Sequence, residues 1–201
     1  MGDSEQAEDE GGPAHPDVAA RASGRTIVMV GLMGAGKSSI GRRLAARLDL
    51  PFVDADSEIE AAAGFTIAEF FEQHGEAEFR DGERRVIARL LDGEPKVLAT
   101  GGGAFMDAQT RAAVAETGIS VWLRADLETL VRRTARRSSR PLLNNADPER
   151  TLEDLMATRY PVYAQADITV ESDDGPPDET VARVVEALAA FNRRTEAAPA
   201  S

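Results

Sequence analysis

The segment from Gly31 to Ser38, GLMGAGKS, fits the pattern G-x-x-x-x-G-K-[ST] of a phosphate-binding loop. An apolar run, Thr26–Val30, precedes it, and a helix-like run that ends at Leu48 follows it. A strand and a helix N-terminus in these places would present backbone N–H groups to a phosphate, and the glycines would let the backbone curve around it. Lys37 would add positive charge for the outer phosphates, and Ser38 a hydroxyl for Mg²⁺. The pattern predicts a nucleotide site; the alternative is a flexible turn with a surface lysine.

Two carboxylates, Asp54 and Asp56, follow a second apolar run that begins at Phe52. At positions i and i+2 of an extended segment, their side chains project to the same side. Beside a phosphate loop, one could hold Mg²⁺ through its water shell, and the other could accept the proton of an attacking hydroxyl. The alternative is structural, with Asp56 as the cap of a helix over Ser57–Ala63.

Three consecutive glycines, Gly101, Gly102 and Gly103, follow a third apolar run, Lys96–Thr100. Without side chains they would let a ligand approach the backbone closely and bond to its N–H groups. A tight turn from strand to helix is the alternative, although a turn needs fewer glycines. The segment therefore predicts the floor of a substrate site.

Two arginines are candidates for binding an acidic substrate, because a guanidinium fork matches a carboxylate bidentately. Arg80 lies on a predicted helix, and Glu83, three residues further on, could orient it. Arg159 begins the segment RYPVY. From spacing alone, a surface position is the better interpretation of each arginine.

The segment RRSSRPLLNN, residues 136–145, interrupts the helical pattern with basic, polar and proline residues. This composition predicts a mobile lid that would exclude water and bring Arg140 onto a transferring phosphoryl group. Residues 124–140 hold six arginines against Asp126 and Glu128, so positive charge is concentrated here. The alternatives are an exposed loop and, for about half of these arginines, a solvated helix face.

Short apolar runs alternate with amphipathic stretches along the chain. The candidate strands are Thr26–Val30, Phe52–Asp54, Lys96–Thr100, Ile119–Arg124 and Asp167–Glu171. The candidate helices are Lys37–Leu48, Ser57–Ala63, Ile67–Gln73, Glu76–Leu91, Asp107–Glu116, Leu127–Ala135, Glu149–Arg159 and Glu179–Arg193. This alternation predicts a parallel sheet with helices on both faces, in which ligands bind beyond the carboxyl ends of the strands.

Composition is typical of one soluble domain: 201 residues, 42% hydrophobic and 29% charged. The net charge of −12 argues against general nucleic-acid binding, and half of it lies in residues 1–20. The composition of residues 1–24 predicts an acidic disordered tail. Residues 194–201 are predicted to form a frayed C-terminal tail. There are no cysteines, the N-terminus is acidic, and no apolar run approaches the ~18–20 residues of a membrane span. We expect a cytoplasmic protein without nucleic-acid or membrane partners.

Together these segments resemble the shikimate kinases. The resemblance covers about residues 25–193 and rests, in order, on GLMGAGKSSIGRRLA, FVDADSEIE, IAEFFEQHGEAEFRDGE, VLATGGGA, RRTARRSSRPLL and RYPVYAQAD. It implies a three-layer α/β/α fold with a five-stranded parallel sheet in the order 2-3-1-4-5, of the P-loop nucleoside-monophosphate-kinase type, with a lid at about residues 136–147. It also implies ATP-dependent phosphorylation of the 3-hydroxyl of shikimate, a step toward chorismate and the aromatic amino acids, by an enzyme expected to be a monomer.

The resemblance implies a role for each matching residue. The residues that would bind ATP are Gly34, Ala35, Gly36, Lys37, Ser38, Ser39, Arg133 and Arg140. The residues that would bind shikimate are Asp56, Arg80, Gly102, Gly103 and Arg159. Ser38 would ligate one Mg²⁺ per subunit, with Asp54 in the outer shell of the ion. Asp56 would act as the base, assisted by Lys37 and Arg140, while Arg133 would lie against the adenine.

Two features depart from the family pattern. The phosphate loop ends in Lys37-Ser38-Ser39 where Lys-Ser-Thr is usual, and residues 172–177 carry no basic side chain, which some members place near the adenine. The rival enzymes are a gluconate kinase and a nucleoside-monophosphate kinase of the same fold. The segments GGG, EFR and RYPVY argue against both. A nucleotide-dependent switch without catalysis is the remaining alternative.

Overall fold

The computed structural model describes residues 24–135 and 147–197. The predicted lid, at about residues 136–147 with Arg140, lies outside the described residues except for Asp147. Residues 198–201 and all but the last residue of the predicted acidic tail also lie outside them. The expectations for these segments remain predictions.

Five parallel strands form one sheet. They are β1 (Thr26–Val30), β2 (Phe52–Asp54), β3 (Val97–Ala99), β4 (Gly118–Arg124) and β5 (Ile168–Glu171). Their order in the sheet is β2-β3-β1-β4-β5, which confirms the predicted order 2-3-1-4-5. Strand β1 is buried along its whole length, because β3 and β4 flank it and helices cover both faces. Its unbroken apolar sequence is the pattern that such a position requires.

Seven α-helices lie in the described part of the chain. They are α1 (Lys37–Leu48), α2 (Ala55–Ala63), α3 (Ile67–Leu91), α4 (Ala108–Thr117), α5 (Leu127–Ala135), α6 (Pro148–Tyr163) and α7 (Pro177–Ala197). A short 3₁₀ turn, Ala104–Met106, follows the three glycines. None of the helices in the described ranges combines the length and the apolarity that crossing a bilayer takes.

The break predicted between Gln73 and Glu76 is present as a kink within α3, where Gly75 takes the non-helical angles φ 78° and ψ 175°. Two predicted helix ends were wrong. Helix α7 continues to Ala197, past the predicted end at Arg193. Helix α6 continues through Pro161 to Tyr163 instead of ending at Arg159. This extension packs the rings of Tyr160 and Tyr163 against Trp122 of the sheet, with centroids 4.9 and 6.0 Å from it.

The sheet brings the candidate chemistry to one edge. In a parallel sheet all the carboxyl ends lie on the same side, so the segments that follow β1, β2 and β3 are neighbours. These segments are the phosphate loop, the Asp54–Asp56 pair and the three glycines. The order β2-β3-β1 places the glycines between the two aspartates and the loop.

Candidate functional site

The phosphate loop connects β1 to α1 through three glycines with positive φ. Gly31, Gly34 and Gly36 have φ of 147°, 84° and 96°, which L-residues rarely adopt. At Gly31 a Cβ would also lie 2.8 Å from the carbonyl oxygen of Leu123. Helix α1 then begins at Lys37 with no side-chain cap from Gly36. The first backbone N–H groups of α1 and the positive end of its dipole therefore have no capping side chain in front of them. They face the curve of the loop, as anion binding requires.

The ammonium group of Lys37 lies within this loop. Its Nζ donates to the carbonyl oxygens of Gly31 at 2.7 Å and Leu32 at 3.0 Å. Ser39 lies in the first turn of α1, and its hydroxyl accepts a hydrogen bond from Arg43 at 2.9 Å. The loop thus holds a positive charge beside the helix N-terminus, where the outer phosphates of a nucleotide would lie.

Ser38 and Asp54 join the phosphate loop to the end of β2. The hydroxyl of Ser38 donates to Asp54 Oδ2 at 2.8 Å, while Asp54 Oδ1 accepts from the backbone N–H of Asp56 at 3.2 Å. Asp54, and not Asp56, is therefore the N-cap of α2, which starts two residues earlier than predicted. The capping role proposed as the alternative for Asp56 was wrong, since its side chain lies on the glycine segment instead.

The hydroxyl–carboxylate pair of Ser38 and Asp54 suits a hard cation that prefers oxygen ligands. Among the described residues, no cluster of three or more His, Cys, Asp or Glu side chains could hold a metal by itself. Mg²⁺ commonly binds through one or two protein oxygens together with waters and substrate phosphates. The pair fits that mode of binding.

The three glycines lie directly against charged side chains. A Cβ on Gly101 would lie 2.7 Å from Asp56 Oδ1 and 3.1 Å from Glu83 Oε1. A Cβ on Gly103 would lie 2.5 Å from Arg80 Nη1. The Asp56 carboxylate therefore lies at one end of this short segment, and the Arg80 guanidinium lies at the other.

Arg80 is held in place by acidic partners on its own helix. Its Nη1 donates to Glu83 Oε2 at 2.7 Å, as the spacing predicted, and its Nη2 donates to Glu76 at 3.3 Å. Glu83 is only 3% exposed. Burial raises the pKa of Glu83, and the Arg80 guanidinium offsets part of that rise. For Arg80 burial acts to lower the pKa, but the bonds to Glu83 and Glu76 outweigh it and the pKa is raised. Arg80 is thus a fixed cation and not a mobile surface arginine.

Arg159 comes to the same segment from α6. Its Nη1 donates to the carbonyl oxygen of Gly102 at 2.8 Å, and the Tyr163 hydroxyl donates to the same oxygen. Gly102 also faces the phosphate loop, since a Cβ there would lie 3.7 Å from Gly31 O and from Met33 N. The structure therefore brings Asp56, Arg80 and Arg159 together around the glycines, beside the loop.

Arg133 lies on the other side of the phosphate loop. Its Nη1 donates to Ser172 Oγ at 3.0 Å and to Gly34 O at 3.3 Å, and its Nη2 donates to the carbonyl oxygen of Asp173. Ser172 Oγ in turn donates to Ala35 O at 2.8 Å. Arg133 and Ser172 thus brace the apex of the loop from α5 and from the end of β5.

Two residues of this arrangement were missed by the sequence reasoning. Ser172 directly follows β5, at the same edge of the sheet as the other candidate segments. Its position after a strand could therefore have marked it as a candidate site residue. Tyr163 lies within the RYPVY segment that drew attention to Arg159, but the predicted helix stopped before it.

Comparison with known proteins agrees with this geometry. The family model for shikimate kinase matches residues 33–189. A shikimate kinase of Bradyrhizobium diazoefficiens is 60% identical over 174 residues, which are 87% of this chain and 84% of the relative. A shikimate kinase of Paramagnetospirillum magneticum is 62% identical over 168 residues, 84% and 86% of the two chains.

Solved structures give the same result. Shikimate kinase from Acinetobacter baumannii in complex with shikimate has a TM-score of 0.79 at 39% identity, covering 84% of this chain and 95% of that one. A gluconokinase from Sinorhizobium meliloti has a TM-score of 0.60 at 20% identity, covering 86% and 95%, and so shares the fold alone. With a family match over most of its length and relatives this similar, the chain belongs to the shikimate kinase family.

Proposed function

We propose that the residues around the glycine segment carry out the ATP-dependent phosphorylation of the 3-hydroxyl of shikimate, the reaction that the chain catalyses as a member of its family. One observation supports this assignment above the others. The carboxylate of Asp56 and the guanidinium groups of Arg80 and Arg159 all lie against Gly101–Gly103. A small ring with one carboxylate and several hydroxyls needs cationic forks at one end and a carboxylate at the other.

The phosphates of ATP would bind in the curve of the phosphate loop. The backbone N–H groups of Gly34–Ser39 and the ammonium of Lys37 would stabilise the charge that moves between the phosphates during transfer. Arg133, which lies outside the loop apex, would contact the adenine. Arg140 would approach the transferring group from the lid.

Shikimate would bind on the glycine segment with its carboxylate between Arg80 and Arg159. Both guanidinium groups are oriented before the substrate arrives, Arg80 by Glu83 and Arg159 by the Gly102 carbonyl. Little conformational freedom would then be lost on binding. The backbone of Gly102 and Gly103 would complete the contact surface.

Asp56 would accept the proton of the 3-hydroxyl as that oxygen attacks the terminal phosphate. Its carboxylate lies beside Gly101, on the side of the segment nearest the end of β2. A base must lie within hydrogen-bond reach of the proton that it removes. In this position Asp56 would face a hydroxyl of a ring whose carboxylate is held by the two arginines.

Ser38 would ligate Mg²⁺ directly, and Asp54 would hold one of its waters. When bound, the ion would neutralise charge on the phosphate oxygens. We further propose a monomeric enzyme, as the family resemblance implies. A cytoplasmic location remains the prediction from composition.

The acceptor tests the proposed function directly. ATP consumption should be rapid with shikimate and slow with gluconate or nucleoside monophosphates, because only shikimate combines a carboxylate with ring hydroxyls at the required spacing. A coupled ADP-release assay across the three acceptors measures this. Fast turnover with a different acceptor alone, or nucleotide binding without acceptor-dependent ADP release, would overturn the proposal.

Replacing Asp56 by Asn should remove the base and leave the phosphate loop intact. We expect turnover to fall by about 10²- to 10⁴-fold, the usual contribution of a general base, while the Kd for ATP stays the same. Initial rates and an ATP titration measure the two quantities. The matched control is Glu58→Gln on the same helix, where Glu58 pairs with Arg89 at the surface and turnover should not change. A near-normal rate in Asp56→Asn would contradict the assigned role.

Replacing Gly103 by Ala should displace Arg80, because the new Cβ would lie 2.5 Å from its Nη1. Loss of charge-assisted hydrogen bonds predicts a rise in the KM for shikimate of about 10- to 100-fold. The KM for ATP should not change.

The matched control for this change is Gly82→Ala, in α3, where a Cβ would meet no atom within 4 Å. It should leave both KM values unchanged and stabilise the helix by about 0.5–1 kcal/mol. Steady-state kinetics and urea unfolding on both variants measure this. An unchanged shikimate KM in Gly103→Ala would show that Arg80 does not bind the acceptor.

Replacing Asp54 by Asn should weaken Mg²⁺ binding without loss of the helix cap, because Asn and Asp are equivalent N-caps. Loss of an outer-shell carboxylate predicts a rise of about 10- to 100-fold in the Mg²⁺ concentration for half-maximal rate. The control is Asp107→Asn, which also caps a helix, α4, and whose bonds are to Thr110 and Arg84 instead of to the loop. Equal Mg²⁺ dependence in the two variants would contradict the assignment.

A further inference from the structure

The carbonyl oxygen of Gly102 accepts two hydrogen bonds from the last turns of α6. One comes from Arg159 Nη1 at 2.8 Å, and the other from the hydroxyl of Tyr163. The two donors are four residues apart, so they lie on the same face of the helix. A carbonyl oxygen has two lone pairs and can accept both bonds at once.

The ring of Tyr163 is fixed by its surroundings. Its exposed fraction is 0%, and it packs against Trp122 with ring centroids 6.0 Å apart and against Tyr160 with centroids 6.2 Å apart. Burial raises the pKa of Tyr163, although nearby Arg159 and Arg80 act against that rise, so the hydroxyl keeps its proton and remains a donor. The Gly102 carbonyl is therefore bonded to an immobile group.

We infer that Tyr163 is a positioning residue for the acceptor: its hydroxyl fixes the Gly102 peptide, which in turn fixes the guanidinium of Arg159. This inference rests on the proposed roles of Gly102 and Arg159 in binding shikimate. With only one donor left, the peptide could rotate, and Arg159 would follow the carbonyl to which it is bonded. The acceptor site would lose its preorganisation, while the phosphate loop would keep its own bonds.

Tyr160 provides a matched comparison within the same helix. It belongs to the same aromatic cluster, with its ring centroid 4.9 Å from that of Trp122. Its hydroxyl also donates to a backbone carbonyl, but that of Ala125, beyond the end of β4. The two tyrosines therefore share chemistry and differ in which carbonyl they hold.

Tyr163→Phe should raise the KM for shikimate about five- to tenfold, as expected for the loss of one buried hydrogen bond. The kcat should stay within about twofold and the KM for ATP should not change, because the reacting groups and the phosphate loop are untouched. Tyr160→Phe should leave all three constants unchanged. A merely structural role predicts instead that both tyrosines change all constants together, and that result would overturn the inference.

A double-mutant cycle with Arg159→Lys tests whether Tyr163 acts through Arg159. If it does, the double variant should bind shikimate no more than about twofold worse than Arg159→Lys alone. Additive losses would overturn the inference. A shikimate KM that is normal in Tyr163→Phe and raised in Arg159→Lys would overturn it too, and would leave the proposed function standing. A normal KM in Arg159→Lys would overturn both.

Folding of the variants is checked by urea unfolding. If Tyr163→Phe is less stable, its affinity for shikimate is measured by titration at low temperature. The signal is the fluorescence of Trp122, the one tryptophan of the chain. A five- to tenfold weaker Kd for shikimate, again absent in Tyr160→Phe, supports the inference. Equal Kd values in the two variants would overturn it.

Discussion

No side chain can be added to the ends of the glycine segment without displacing a charged group, and the proposed acceptor site depends on this steric constraint. A Cβ on Gly101 would meet the carboxylate of Asp56 at 2.7 Å, and one on Gly103 would meet the guanidinium of Arg80 at 2.5 Å. Neither glycine has a positive φ, so the turn itself does not require them. They are needed because the space beside the backbone is filled by the Asp56 carboxylate and the Arg80 guanidinium, the groups proposed to act on the acceptor. The backbone itself, with its N–H and C=O groups, then forms the wall of the site.

Electrostatics explains how a chain of net charge −12 can bind two anionic substrates. The arginines near the candidate site form specific ion pairs. Arg80 pairs with Glu83 and Glu76, and Arg133 Nε lies 3.9 Å from Asp174 Oδ1. Burying a guanidinium without a partner would be costly, and a partner also fixes its direction. For Glu83 the cost is visible, because burial raises its pKa. The acidic residues thus hold the cations in place, and local geometry matters more than total charge.

Periodicity and motif spacing were sufficient to predict the strands and the edge of the sheet where the candidate site lies, while the order of the strands came from the family resemblance. The reason is that each functional segment directly follows a strand, so that topology alone brings Asp54, Lys37 and Gly102 together. Contacts between helices and that edge could not be predicted in the same way. Helix α6 was predicted to end at Arg159, but it continues through Pro161, where packing of Tyr160 and Tyr163 on Trp122 compensates for the lost backbone hydrogen bond. Arg159 illustrates the same limit, since its proposed role depends on a contact between α6 and the Gly102 carbonyl that sequence spacing does not encode.

The two halves of the site meet at Gly102. On one side its carbonyl is held by α6, and on the other it lies against the start of the phosphate loop, near Gly31 and Met33. The loop is braced separately by Ser172 and Arg133. Phosphoryl transfer needs the attacking oxygen within about 3–3.5 Å of the phosphorus and in line with the leaving group. Close packing between two independently braced elements would set that separation more reproducibly than two mobile loops could. The rigid edge of the sheet would thus fix the distance between the two substrates before either one binds.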